Sequence, residues 1–489
     1  MSRLWDTVSY KKEEYEEDET SCPLLLSAAL LLGAAPVQAA GVLTRGEAAH
    51  EQTPGTAEAK IKALYDCVMD TDGREKAGVA PIQKYLDAIE NAATLNELVA
   101  ADVTMQQEPG LSTLLGFGLT ADLADPSRKT TAFSLIGAGM GKDFYANGTD
   151  AQKAAYSTYL TTLLTLSGLS GDEAARRAAR AYVDEYFSAA AKADVEEMIG
   201  EFISIYKERI LAQDRMSAET KARAVKKLDN MGVKVGYPDS WDTYLDRVEI
   251  QSPEQGGSFF SNVIAIQKAA KAETLAHQND APDKREWIMT PYTVNACYDP
   301  TANDITFPAA ILQAPLYDVN ASREEDLGGI GYIIAHEITH AFDNNGAKFD
   351  ETGSAADWWT SEDYAAFQQK CQAVADRYDG QEAYPGVACS GVLTVSENVA
   401  DLGSARCIVA AAKKLADPDF DKLFRAVANT WASTTSRQMR EYLAVADVHA
   451  PDKLRCNRVL QTLPEFYETY GIQPGDGMWT DPASRVSVW

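Results

Sequence analysis

His336-Glu337-Ile338-Thr339-His340 lies in a chain of 489 residues that has five histidines in all. Two of the five therefore stand four apart with a glutamate between them. Residues at that spacing share one face of a helix, with Cβ atoms about 5–6 Å apart. Two imidazoles so placed can meet one metal ion at about 2.0–2.1 Å each. Glu337 projects from the same turn, beside the position of a water to be activated. The competing reading is a helix with two surface histidines and an unrelated glutamate. The flanks count against it: Gly328-Gly329-Ile330-Gly331-Tyr332-Ile333-Ile334-Ala335 leads in and Ala341-Phe342 follows. A buried helix with an ionisable cluster needs a partner for its charges, and a metal supplies one.

Working outward, the length allows two or more domains and a large core. The net charge of −27 would repel a phosphate backbone, so nucleic acid is excluded as a partner. It suits a soluble protein in a salty or extracellular setting. Seven cysteines, at 22, 67, 297, 371, 389, 407 and 456, form no Cys-x-x-Cys pair. A cysteine-built zinc finger is thereby excluded, which leaves histidine and carboxylate as ligands. The odd count gives no disulfide framework, although Cys371 and Cys389 could pair.

At the N-terminus, Leu24 to Ala35 is a short apolar run, and Val37-Gln38-Ala39 fits a small-x-small cleavage site. Residues 1–39 thus read as a signal peptide, with an atypically acidic start (Glu13, Glu14, Glu16, Glu17, Asp18, Glu19). The expectation is an extracellular or cell-envelope protein, cytoplasmic if this segment does not work as a signal. The run is too short for a comfortable membrane span, and no other stretch could cross a bilayer. Residues 40–55 read as a linker. From Thr56 to about Gln213 the pattern is helical, as in Ala57-Glu58-Ala59-Lys60-Ile61-Lys62-Ala63-Leu64-Tyr65. Gly137-Ala138-Gly139-Met140-Gly141-Lys142-Asp143 fails the spacing of a phosphate loop and reads as a turn. Met216 to Leu228 reads as an amphipathic helix, after which Val233 to Asp239 exits into a loop. Val294 to Tyr298 and Asp304 to Pro308 read as short strands, and later helices cover roughly 361–378, 396–415, 419–432 and 437–446.

A peptidase-type zinc needs three protein ligands and one open position. The subclass with a third histidine would require glycine at 343 and histidine at 346; the chain has Asp343 and Gly346. A glutamate on a downstream helix is the other solution. Ser396-Glu397-Asn398-Val399-Ala400-Asp401 offers one, with Asp401 on the same face to accept the outer N–H of a ligand histidine. Glu351, Asp357 and Glu362 compete for the same role.

These residues, with others in order, make the chain similar to the neprilysin-like (M13) zinc metallopeptidases. The stretches that carry the resemblance are Val294-Asn295-Ala296-Cys297-Tyr298-Asp299-Pro300, Phe307-Pro308-Ala309-Ala310-Ile311-Leu312-Gln313 and Ala335 to Asp343. Glu397-Asn398-Val399-Ala400-Asp401-Leu402-Gly403 and Val448-His449-Ala450-Pro451-Asp452-Lys453-Leu454-Arg455 follow. The resemblance implies a mainly α fold: a helical N-terminal capping part and a gluzincin-type zinc-peptidase catalytic domain with a small β element. It implies one Zn2+ per chain held by His336, His340 and Glu397, with Glu337 as general base and Asp401 orienting a ligand histidine. Asn295 and Ala296 would bind substrate backbone, His449 would stabilise an oxyanion and Arg455 would anchor a substrate carbonyl. The implied activity is endopeptidase cleavage of oligopeptides.

The chain also departs from the family. Cys297 stands where many relatives have tyrosine, and Ser484 to Trp489 lacks the cysteine of the animal enzymes. Family-like sequence runs to about Arg180 and then continues with a stretch that belongs much later in the pattern. The expected division is a truncated helical N-terminal part at 56–180, a helical joining segment at 181–286 and the catalytic domain at 287–489. A rival expectation follows: an envelope-associated member with an intact zinc site and little activity.

Overall fold

The computed structural model describes residues 57–78, 80–108, 115–135, 188–239, 247–384 and 386–488. The signal-like segment, the glycine-rich turn at 137–143 and the junction near Arg180 lie outside them. The described residues fall into two compact units. One holds residues 57–108 and 247–273, and the other holds 115–135, 188–239 and 274–488.

The smaller unit is helical. Ala57–Met69, Gln83–Glu90 and Leu95–Gln107 are its longer N-terminal helices. Thr94 and Glu97 close a reciprocal capping box at the start of the last, which satisfies two otherwise orphaned backbone donors. Buried Tyr85 donates to Glu108 at 2.7 Å.

The larger unit is built around a long helix, Ala189–Leu211, started by the Ser188 hydroxyl accepting from the Ala191 N–H. Val195, Met198, Ile199, Phe202, Ile205 and Tyr206 form its buried stripe. Their 3–4 residue spacing is what an amphipathic helix needs to cover a core. Helices Ala218–Asp229, Ile330–His340, Ser361–Tyr378, Val395–Ala412, Phe420–Thr430, Arg437–Ala446, Asp452–Leu460 and Pro464–Tyr470 follow. The structure is mainly α with small sheets, as expected. Among the described residues no helix is long and apolar enough to cross a membrane.

Four sequence expectations are corrected. The helical reading of 56–213 is interrupted by a hairpin, strands β1 (Leu115–Ala121) and β2 (Lys129–Leu135), paired antiparallel. Its connection is an Asx-type turn, in which the Asp125 side chain accepts from the Ser127 N–H and hydroxyl. Val233 to Asp239 does not simply exit into a loop: Gly232–Gly236 is a strand, β3, parallel to β5 (Asp304–Pro308). The expected strand at 294–298 is the shorter β4 (Cys297–Asp299), antiparallel to β5, and the sheet order is β3-β5-β4. Asn295 and Ala296 therefore lead into an edge strand. Finally, Cys371 and Cys389 are unpaired, buried thiols; each sits in the apolar core, where burial pushes the thiol pKa up.

Candidate metal centre

The motif helix, Ile330–His340, is buried along almost its whole length. So is Val395–Ala412, which carries Glu397 and Asp401. The two helices touch closely because residue 403 is glycine: a Cβ there would lie 2.6 Å from Thr339 side-chain atoms. On its other side, the Thr339 hydroxyl bonds Ala335 O at 2.7 Å and meets the buried Tyr206 hydroxyl, which donates to the same carbonyl at 2.9 Å. This packing sets where His336 and His340 face Glu397.

His336 Nδ1 is bonded to Asp401 Oδ1 at 2.8 Å, and His340 Nδ1 to Asp343 Oδ2 at 2.6 Å. A carboxylate at Nδ1 keeps the proton there and turns the Nε2 lone pair outward. Both Nε2 atoms converge, 3.0 Å apart, and Glu397 Oε2 lies 3.0 Å from one and 3.5 Å from the other. The ligand atoms of His336, His340 and Glu397 all lie within 4.8 Å of one another. Three electron-pair donors pointed at one spot need positive charge between them. Burial and the neighbouring imidazole pull the His336 pKa down, but Asp401 and Glu397 outweigh both and hold it above its usual value. His340 is likewise raised, by Asp343 and Glu397 against burial. Burial would lift the Glu397 carboxyl, yet the three facing histidines hold it far below the usual range. A field that retains protons so firmly also favours a dication in their place. The donor set, two neutral imidazoles and a carboxylate, fits zinc.

Asp401 is wholly buried. Burial would raise its pKa, but Arg455 holds it down to about 2. The Arg455 guanidinium lies 3.9 Å from the centre of the Trp431 ring, which makes an edge contact with Tyr332. His449 approaches Glu397 at 3.2 Å and is bonded through Nδ1 to Asp447 at 2.7 Å. Burial lowers its pKa, but Asp447 and Glu397 bring it up to about 9.

A cleft of about 460 Å³ opens over these groups, and Asn295, Ala296, Cys297, Glu337, His449 and Arg455 line it together with the three metal-facing residues. Every site residue singled out in the sequence, Asp401 apart, is at its wall, and Asp401 sits directly behind His336. The competing carboxylates are elsewhere: Glu351 pairs with Lys226 at 2.6 Å, while Asp357 and Glu362 are exposed.

Sequence reasoning missed Asp343. Its Oδ2 holds His340 and accepts from the Ser396 hydroxyl at 2.6 Å, while Oδ1 accepts the Asn345 and Gly346 N–H groups at 2.6 and 2.7 Å. It was present in the string as His340-x-x-Asp343. The same helical-turn spacing that identified the histidines would have placed it beside the ring.

Residues 295–486 match the sequence model described as Peptidase family M13, and residues 38–181 and 177–238 match that family's N-terminal model. The chain belongs to the M13 peptidase family. It is 40% identical over 308 residues to the neutral endopeptidase of Lactococcus lactis, across 63% of this chain and 48% of that protein. It is 30% identical over 327 residues to neprilysin-3 of Drosophila melanogaster, across 63% and 41%. This M13 chain thus spans about half the length of the curated relatives it matches. In fold it is similar to a Mycobacterium tuberculosis zinc metalloprotease crystallised with an inhibitor, with a TM-score of 0.78, 23% identity, and 95% and 93% of the two chains covered. A Lactobacillus PepO structure gives a TM-score of 0.75 at 23% identity, covering 93% and 95%.

Proposed function

We propose that this M13 chain is a zinc-dependent endopeptidase acting on short peptides. The observation that carries the reading is the convergence of His336 Nε2, His340 Nε2 and Glu397 Oε2 in a cleft that Glu337 also lines. Those three residues would hold the ion. When bound, zinc supplies a Lewis acid that polarises a carbonyl and eases the ionisation of water.

The chain's own groups do the rest. Glu337 takes the proton of the attacking water and passes it to the leaving nitrogen. His449, kept protonated by Asp447, donates to the oxyanion that develops on the attacked carbonyl. Asn295 and Ala296, leading into edge strand β4, offer backbone groups to an extended peptide. Arg455 presents a guanidinium to a substrate carbonyl from the cleft wall. Asp401 keeps His336 in one tautomer.

The test is cleavage of a short peptide by the purified, zinc-loaded chain, with inhibition by a phosphoramidate. Glu337→Gln should bind zinc like the wild type and lose turnover by about 10²–10⁴-fold. Normal cleavage by that variant would show the mechanism to be wrong. A wild-type chain that binds zinc and cleaves nothing would instead be a metal-binding family member without catalysis.

A further inference from the structure

Lys227, on helix Ala218–Asp229, is 1% exposed. Its ammonium donates to the carbonyl oxygens of Ala341 at 2.9 Å, Gly346 at 2.8 Å and Phe349 at 2.6 Å. An ammonium has three N–H donors, and all three are used. The rings of Tyr298, Phe342 and Trp358 surround it, with centroids 5.7–5.8 Å away, within range of cation–π attraction. Ala341 caps the motif helix, so its carbonyl is among those left unpaired at the negative end of the helix dipole.

The chain between these acceptors carries Asp343, the residue that fixes His340. Its course is tight: a Cβ on Gly346 would lie 1.8 Å from His340 O. The same glycine donates its N–H to Asp343 and offers its carbonyl to Lys227. From the other side, Asn303 donates to Lys227 O at 3.0 Å and accepts from the Tyr298 hydroxyl at 3.0 Å. Lys227 is thus tied both to the loop after the metal helix and to the strand pair beside the cleft.

We propose that Lys227 is a positioning residue for the metal centre: its ammonium pins the 341–349 loop, and through that loop holds Asp343 against His340. Charge is what the position needs, because a neutral amine has two N–H groups and a lone pair, and would turn that lone pair on one of three carbonyls. The proposal rests on reading His336, His340 and Glu397 as metal ligands. The acidic groups that act on the ammonium are Asp343, Asp350 and Glu351, the last already paired with Lys226. Burial outweighs them and brings the Lys227 pKa down to about 7. The pin therefore weakens as the medium turns alkaline.

The experiment compares zinc affinity of the metal-free full chain and Lys227→Met, by competition with a chromophoric chelator at about pH 6 and about pH 8.5. Methionine keeps the bulk and removes the charge. The expected result is about tenfold weaker zinc binding by the variant near pH 6, the low end for groups behind a metal ligand. That gap should narrow near pH 8.5, where the wild type has lost the same proton. Equal affinities at both pH values, or a gap that ignores pH, would overturn the proposal. A wild type that binds no zinc would instead refute the metal reading itself. Should Lys227→Met fail to fold by circular dichroism, NMR of the 15N-lysine wild type decides. A slowly exchanging ammonium signal near pH 6, lost through neutrality, is expected; a neutral amine at pH 6 would overturn the assignment.

Discussion

Arg455 and Asp401 are joined by both prongs of the guanidinium, Nε to Oδ2 and Nη2 to Oδ1, each at 2.8 Å. Both residues are buried, and Asp401 Oδ1 also takes the Nδ1 of His336. One carboxylate thus serves a cation on one side and a metal-facing imidazole on the other. Removing the cation alone strands a buried charge. Arg455→Met should therefore lower unfolding stability by about 3–5 kcal/mol, whereas the double variant Arg455→Met/Asp401→Leu should recover part of it. Urea unfolding of the four combinations measures this; an additive result would show that the pair is not coupled.

Asp343 has four hydrogen-bonding partners in the loop and across to Ser396. Asp343→Ala should weaken zinc binding by about 10–100-fold, as for other carboxylates behind a ligand histidine. Ser396→Ala removes one of those bonds and leaves the rest, so its effect on zinc affinity should be much smaller. Chelator competition ranks the two, and a reversed order would contradict the geometry.

Zinc should also act as a stabiliser. A ligand that binds only the folded state adds about 2.7 kcal/mol at a concentration a hundredfold above its dissociation constant. Thermal unfolding of the metal-free chain should shift upward with added zinc. Glu397→Ala should abolish that shift and also lower the metal-free Tm, because the facing histidines lose the carboxylate they pair with. A full zinc-dependent shift in Glu397→Ala would remove Glu397 from the ligand set.

Asp326, which does not line the cleft, gives a pH signature of its own. Burial, helped by Asp194 and Asp318, raises its pKa to about 6, against the Asp318 N–H that it accepts at 3.1 Å. An acid whose folded pKa lies above its unfolded one holds its proton more tightly when folded. Its ionisation therefore costs stability above about pH 6, and the cost disappears as the pH falls toward 4. Asp326→Asn keeps an acceptor for Asp318 and carries no charge. It should raise stability at pH 7.5 by about 1 kcal/mol after allowance for solvent screening, and give no gain at pH 4. Denaturant titration at the two pH values checks the sign.

How much of this was readable in the string depends on the range of the interaction concerned. The motif helix and the helices at 361–378 and 437–446 follow from spacing within a few turns, whereas spacing left Glu397 in competition with Glu351, Asp357 and Glu362, and only the family resemblance paired it with the two histidines. Strand β3 was not legible, because Val233-Lys234-Val235 becomes a strand only by lying against Asp304–Pro308, far along the chain. The β1–β2 hairpin was lost within an alanine-rich region whose helical periodicity dominated the reading. Asp343 was within reach of the reasoning that found Asp401. Lys227 was not: it stands beside Lys226 in an amphipathic helix, and the string does not distinguish the lysine that is 1% exposed from the one that pairs with Glu351 at the surface.

The contact of Gly403 with Thr339 has a mechanical consequence. Because the two ligand-bearing helices meet at the backbone of one and a branched side chain of the other, their relative register is indexed as by a notch. A slip of one residue along either helix, about 1.5 Å, would drive Thr339 into a backbone carrying side chains. A slip of a full turn, about 5.4 Å, would carry Glu397 out of reach of both imidazoles. Intermediate settings are closed, so damage along this seam should abolish metal capture abruptly rather than weaken it by degrees.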